Sequence, residues 1–403
     1  MELRITILLI ALFTATTAMA QKSVARKARQ DMSQARDMLK KGKTPDQAEK
    51  LMVGLLKDSA NQGNKKIYDL WLQAVQKQYD AANERLYLRQ KQDTAAFFAL
   101  VRRMFTVAEA LDSIDALPNR KGQVAPEYRK DNAEQLNRLR PNLFNGGTYH
   151  TRKRDFQQAF DYFEQYLDCQ GQPLFSGYDI AGSDRQRMAE AAYWATYCGY
   201  RLQNPLLTLR YRRQALADTA KAAYTLQYVA EARRWLHDDS LYAETLHEGF
   251  RHYPLNAYFF PRLIDYYGLH GEHDKALSLA DSALYVAPQN LLFGLAKAKA
   301  LFSLERYDEA IAMSDPLIAR ADTIAESYYL AGSACLNKAL KLNPLRDKKQ
   351  LRKIYQQARN YMEHYRLLAP DEKQKWAPLL YRIYLNLNMG RQFDEMDRLL
   401  KKK

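Results

Sequence analysis

An all-α chain built from repeated helical pairs follows from three features of the 403-residue sequence. Pro254 and Pro288 lie 34 residues apart. Ala276 and Ala310, within Asp274-Lys-Ala-Leu277 and Asp308-Glu-Ala-Ile311, repeat the same 34-residue step. With 16 Gly and 13 Pro the chain has too few turn formers for an all-β fold. A fixed period of this length marks a repeat array, since one unit cannot bury its apolar face without neighbours. An apolar content of 47% and a charged content of 27% exclude a polytopic membrane protein, a collagen-like fibre and a wholly disordered chain.

The first element stands outside the fold. Arg4 and the amino terminus give a positive start, Ile5–Phe13 is an apolar stretch, and Ala18-Met-Ala20 has the small-x-small pattern accepted by signal peptidase. Met1–Ala20 is therefore expected to be a signal peptide, cleaved before Gln21, because its apolar stretch falls short of the roughly 20 residues of a spanning helix. No Cys follows the site to carry a lipid. The mature chain is expected to be soluble and exported, periplasmic or secreted, in a bacterial envelope.

The repeats come next. In Ala257–Asn290, Phe260 takes position 4, Tyr267 position 11, Gly271 position 15, Ala276 position 20, Ala283 position 27 and Pro288 position 32. Leu291–Ile324 follows without a gap, with Ala298 at position 8, Tyr307 at 17 and Ala310 at 20, and Asp322 where Pro stood. These units resemble the tetratricopeptide repeat (TPR) family, whose 34-residue unit is two antiparallel helices. Small residues at 8, 20 and 27 let the helices approach, and large residues at 4, 11 and 24 fill between units. Proline at 32 ends the second helix. Ile264 departs from the small residue expected at position 8.

The register extends in both directions. Ala223–Asn256 keeps Gly249 and Pro254 but has Tyr242 at a small position, and a unit from Ala325 has Gly332 at position 8. Ala358 and Pro370 keep the 12-residue separation of Ala276 and Pro288, so about 14 residues are inserted near 343–356. A last unit starts at Lys373, with Trp376, Leu379 and Ile383 in register, so the array is expected to span 223–403. The region 140–222 is expected to hold degenerate units, Arg140–Pro173 (Gly147, Phe156, Ala159, Phe163) and Ala189–Ala222 (Ala215). Between them Gly171, Pro173, Gly177 and Gly182 make 169–184 a long loop, functional or disordered. The region 21–139 carries Arg29–Gln62, with Pro45 opening a helix, the weaker Gly63–Ala96, anchored by Ala82, and a stretch legible only as helical at Asp93–Arg140.

Three cysteines, Cys169, Cys198 and Cys335, leave at least one thiol unpaired in an oxidising compartment. Cys198 and Cys335 read as small buried hydrophobes; whether Cys169 and Cys198 pair is open. The net charge is +15, with +9 of it in Gln21–Arg140. For an exported chain that excess points away from nucleic acid and towards anionic lipid headgroups, envelope polymers or an acidic partner protein.

Chemistry is sparse. His247 and His252 are five apart, about 140° around a helix, and do not chelate one ion as an i,i+4 pair does. His270-Gly-Glu-His273 lies in a turn, and Asp238-Asp239 at a helix start, where the dipole favours acids. No phosphate-binding glycine loop or nucleophile elbow is present. No enzyme, metal or cofactor is expected.

In TPR solenoids, positions 2, 5, 9 and 12 of the first helices line the concave face. The resemblance then assigns a partner groove to Tyr193, Tyr197, Tyr200, Tyr224, Tyr258, Lys299, Tyr329, Tyr381 and Tyr384. Tyr suits a groove by its large, stiff, amphipathic surface; the same spacing in Tyr193, Tyr197 and Tyr200 equally fits core packing. The carboxylate clamp of Lys, Asn and Arg in some family members is absent. Those positions read Tyr258, Pro261, Asp265, Gly268, then Leu292, Leu295, Lys299 and Phe302. The leading expectation is a non-catalytic exported scaffold that takes a protein or peptide segment, acidic ones included, in a Tyr-lined groove. The alternative is a peripheral envelope protein whose basic N-terminal third, Lys22–Arg36 above all, contacts anionic lipid or polymer. A third reading makes the solenoid a platform for an enzyme or glycan binder.

Overall fold

The computed structural model describes residues 23–119 and 121–401, so the expected signal peptide lies outside the described residues. Two compact units meet the eye, one reaching to Asp238 and one running from Asp239 onward; the division falls inside the unit expected at Ala223–Asn256. The described residues are helical without a strand.

In the first unit, α1 (23–40) and α2 (Pro45–Leu55) form a hairpin closed over Met32, Ala35, Met52 and Ile67. Pro45 opens α2, as expected. Helices α3 (Lys65–Tyr87) and α4 (Thr94–Asp115) pair next. Their 23 and 22 residues exceed a repeat helix. No Gly or Pro interrupts 65–87, and Ile67, Leu70, Ala74 and Val75 keep an apolar stripe going, so a single helix occupies most of the expected unit Gly63–Ala96. Asp93 stops the turn by accepting from the amides of Ala95 and Ala96, at 2.9 and 3.2 Å.

Helices α5 (Arg129–Arg152) and α6 (Phe156–Asp168) follow. Buried acids tie α5 back: Asp112 receives the Arg129 guanidinium at 2.7 and 2.9 Å, and Asp115 receives Lys65 at 3.0 Å and the Tyr128 amide at 2.8 Å. Glu49 does the same for α2, taking Arg103 at 3.0 Å, Trp71 at 3.1 Å and Gln78 at 2.7 Å. The loop expected at 169–184 is packed: it folds into two 3-10 turns and the short α7 (Ile180–Ser183), and buries Cys169, Leu174, Phe175 and Ile180. Asp184 closes it, accepting from Arg140 at 3.1 Å and from the Tyr166 hydroxyl. After α8 (Arg185–Arg201), the second helix of Ala189–Ala222 is split into α9 (Pro205–Arg210) and α10 (Arg212–Ala215). Tyr211 sits at the split with φ −110° and ψ 16°, its ring buried and its hydroxyl donating to Asp168 at 2.7 Å. The unit ends with α11 (Ala222–Trp235).

The second unit is a run of α12 (Asp239–His252), α13 (Phe259–Leu269), α14 (His273–Val286), α15 (Leu291–Ser303), α16 (Tyr307–Arg320), α17 (Ala325–Leu340), α18 (Lys348–Leu368), α19 (Lys373–Asn386) and α20 (Gly390–Lys401). Each helix packs on the next, and first helices touch across the pair, as where Phe260 meets Phe293 with ring centroids 4.5 Å apart. Both gap-free repeats are helix-turn-helix units with the expected turn. Gly271, at position 15, has φ +68°, and its counterpart Glu305 holds φ +59° in the next unit. The turn thus needs a left-handed residue, which costs a side chain about 1 kcal/mol and glycine nothing.

Small residues sit where helices come closest. A Cβ on Gly147 would stand 2.7 Å from the Phe163 ring, one on Gly249 2.2 Å from Phe259, and one on Gly332 2.5 Å from Met362. Gly54 on α2 has open space around it. Gly147→Ala is therefore expected to lower stability by about 1–3 kcal/mol through overpacking, despite the gain in helix propensity. Gly54→Ala should raise it by up to about 1 kcal/mol. Urea unfolding followed by circular dichroism checks the opposite signs.

Candidate functional site

The tyrosines expected to line one groove divide between the two units. In the first, Tyr193 is buried, its ring 5.1 Å from Trp194 and 6.2 Å from Tyr228. Tyr197 is half-buried between Trp194, Tyr228 and Phe156, and Tyr200 stacks on Tyr228 at 4.6 Å and on Trp235 at 5.7 Å. These rings join α8 to α11, so of the two readings open for them packing prevails, most fully for Tyr193. Tyr224 is exposed.

In the second unit the first-helix tyrosines turn largely towards neighbouring second helices. Tyr329 meets Tyr365 at 5.1 Å and Tyr381 meets Phe393 at 4.5 Å. Tyr384 is buried and its hydroxyl donates to Glu363 at 3.1 Å; burial and that carboxylate raise its pKa. Tyr258 is half-covered by the Arg262 guanidinium, 3.7 Å from its ring centre. A ring at these spacings reaches sideways to the adjacent helix and spends its area there.

An open hollow does lie on the first helices, between α13 and α15 and roofed by the start of α14. Its volume is about 520 Å³. Ile264, Ala276, Ala296 and Ala300 make an apolar floor, with Asp265, Gly268, Leu269, Lys299 and Ser303 around it. Of the nine expected groove residues, Lys299 is the one that lines it. Lys299 and Asp265 both occupy position 9 of successive repeats, both are exposed, and neither makes an ion pair among the described residues. Gly268, at position 12, has nothing within 4 Å of its absent Cβ, and this leaves the hollow its depth. Ile264, the residue that breaks the small-residue rule at position 8, supplies floor area. Gly268, without a side chain at position 12, was the available signal for a hollow here.

The histidines make no catalytic arrangement. His247 shares a hydrogen bond with the Tyr267 hydroxyl, and burial, then Arg251 and Lys275, hold its pKa below the ordinary imidazole value. His252 is exposed. The His270 ring leans on Tyr266 at 4.3 Å, and His273 lines the hollow. Among the described residues no three His, Cys, Asp or Glu groups converge on a point that would hold a metal. The three cysteines are free thiols, all buried; burial raises each pKa, to about 12 for Cys198 and Cys335, so they stay protonated. In α1 the basic residues Arg26, Lys27, Arg29 and Arg36 face solvent while Ala28, Met32, Ala35 and Leu39 are buried.

One titratable group escaped the sequence reading. Glu109, within the apolar run Val107-Ala-Glu-Ala-Leu111 of α4, has its pKa pushed up to about 7 by burial first and by the charge of Asp168 second, against a hydrogen bond from Gln165. An acid inside an apolar run was the available signal. The folded pKa lies above the unfolded value of 4.5, so the stabilising contribution of protonation is whole below that pH and is lost as pH rises through 7. Glu109→Gln is expected to be more stable than the parent near pH 8–9 by about 1–2 kcal/mol. The difference should close towards pH 5, as read from urea midpoints across that range.

No family model and no curated protein matches the chain. Among solved structures it is similar to the C-terminal part of a TPR repeat-containing protein from Cytophaga hutchinsonii (12% identity, 63% of this chain, 92% of that one, TM-score 0.43). It is similar also to yeast Tom70 (11%, 94% and 91%, 0.35) and to the TPR2AB domain of yeast Sti1, solved as a pHSP90 complex (14%, 75% and 96%, 0.26). By its paired helices, its left-handed turns at position 15 and its close approaches at glycine, the chain is an α-solenoid of TPR-like helix-turn-helix repeats.

Proposed function

We propose that this chain is a non-catalytic scaffold that binds a segment of a partner protein, and that it works outside the cytoplasm after losing Met1–Ala20. The hollow between α13 and α15 carries the reading. It joins an apolar floor of Ile264 and three alanines to one cation and one anion that make no ion pair among the described residues, on the helices that repeat proteins of this architecture turn towards partners. An apolar side chain seated on Ala296 and Ala300, with an acidic neighbour reaching Lys299, satisfies both parts of the site. The groove is thus smaller and less aromatic than the tyrosine spacing suggested. Export is supported by the apolar stretch Ile5–Phe13 and the Ala18-Met-Ala20 site.

Gly268→Arg fills the hollow from a position where a side chain meets no neighbour, and Lys299→Glu reverses its charge. Crosslinked capture from envelope extract is expected to lose the same discrete protein with either variant, by about tenfold or more, while the unfolding midpoint stays within about 0.5 kcal/mol of the parent. Capture unchanged by both variants would reject the hollow as the binding site.

A further inference from the structure

The insertion of about 14 residues expected near 343–356 forms the turn between α17 and α18 and the beginning of α18. It lengthens α18 to 21 residues, against 14 in α14 and in α16. Seven extra residues are about 10 Å of helix. The buried positions Ile354, Tyr355 and Ala358 define the core side of α18. At 100° per residue, Lys348, Lys349, Arg352 and Lys353 fall within an arc of about 140° on the other side, and all four are exposed.

Exposed leucines mark the turn before it, one ending α17 and one within the turn. Leu340 is 64% and Leu345 80% exposed. The turn is nonetheless tightly bonded: Asn343 Oδ1 accepts from the amides of Leu345 and Arg346 at 2.9 and 3.2 Å, and Asp347 accepts from the Asn343 amide at 2.8 Å. Leu345 is therefore held outward by a defined structure. Residues 338–353 hold seven Lys or Arg and one acid, Asp347. Lys338 and Lys341 are neutralised by Asp308 and Glu305. Arg346, Lys348, Lys349, Arg352 and Lys353 make no ion pair among the described residues.

We propose that this α17–α18 protrusion docks on an anionic lipid surface, the basic row of α18 lying against headgroup phosphates and Leu340 and Leu345 entering the interface. Charge complementarity sets the sign of the partner, since clustered Lys and Arg on a helix are drawn to the negative potential of an anionic leaflet. The leucines select lipid over other polyanions, because a headgroup layer takes in an apolar side chain and a nucleic acid backbone offers it no seat. This surface shares no residue with the hollow between α13 and α15.

Vesicle sedimentation tests it, using the full chain and a chain starting at Gln21, which retains every described residue. The vesicles are pure phosphatidylcholine, or phosphatidylcholine and phosphatidylglycerol at two parts to one. The chain starting at Gln21 should bind the anionic vesicles only, more weakly as salt rises. Replacing Lys348, Lys349, Arg352 and Lys353 together by Ser should weaken that binding by about tenfold or more. Leu345→Ser, which leaves the charge unchanged, should weaken it severalfold. These side chains are exposed, so circular dichroism should show the fold intact. Binding that survives the fourfold variant, or that is lost when Arg26, Lys27, Arg29 and Arg36 are replaced instead, overturns the proposal. Equal binding to duplex DNA, indifferent to Leu345→Ser, would overturn it in favour of a general polyanion surface.

Discussion

Everything in this chain rests on how closely two antiparallel helices can approach. No sheet is present among the described residues to cover an apolar stripe, so each helix must bury its stripe against another helix. The approach is set where a side chain is missing: Gly147 against Phe163, Gly249 against Phe259, Gly332 against Met362. At these places an aromatic ring or a methionine lies on backbone, and the contact is made by area, without a polar group. The turn between paired helices obeys the same constraint. It must reverse the chain in a few residues, so Glu305 accepts the left-handed conformation that Gly271 adopts without strain.

Much of this was legible in the sequence, because the constraint acts at fixed spacing. Ala276, Ala283, Ala298 and Gly332 were readable as close-approach positions, and Pro45 and Pro288 as helix boundaries. What escaped were departures from the period. Nothing in Lys65–Tyr87 tells a long helix from a helix about to turn, since the absence of a breaker is a weak signal. The glycines of 169–184 were read as loop formers, yet Gly171 ends a 3-10 turn and Gly182 lies within α7, because Leu174, Phe175 and Ile180 fold the segment onto the core. Local composition was silent about where those apolar side chains would find room.

The candidate site was legible in part for a related reason. Position along a helix names the face a residue occupies; it does not say whether a ring on that face lies against solvent or reaches over to its neighbour. Tyr193 and Tyr384 reach over. Lys299, too hydrated to be buried without a partner, stays at the surface and marks the hollow. Charged side chains therefore reported the open surface more faithfully than tyrosines did. The buried acids were invisible for the opposite reason. Glu49, Asp112 and Asp115 act as struts between helices distant in sequence, and only the fold brings their partners to them.

The order of contacts in the second unit has a consequence for how it loses order. Its principal helix contacts run between helices one or two apart in the chain, from α12 to α20. Each hairpin then depends chiefly on its neighbours, so fraying of α19 and α20 leaves the packing of α14 on α15 in place. Such an array can come apart at one end by steps rather than all at once.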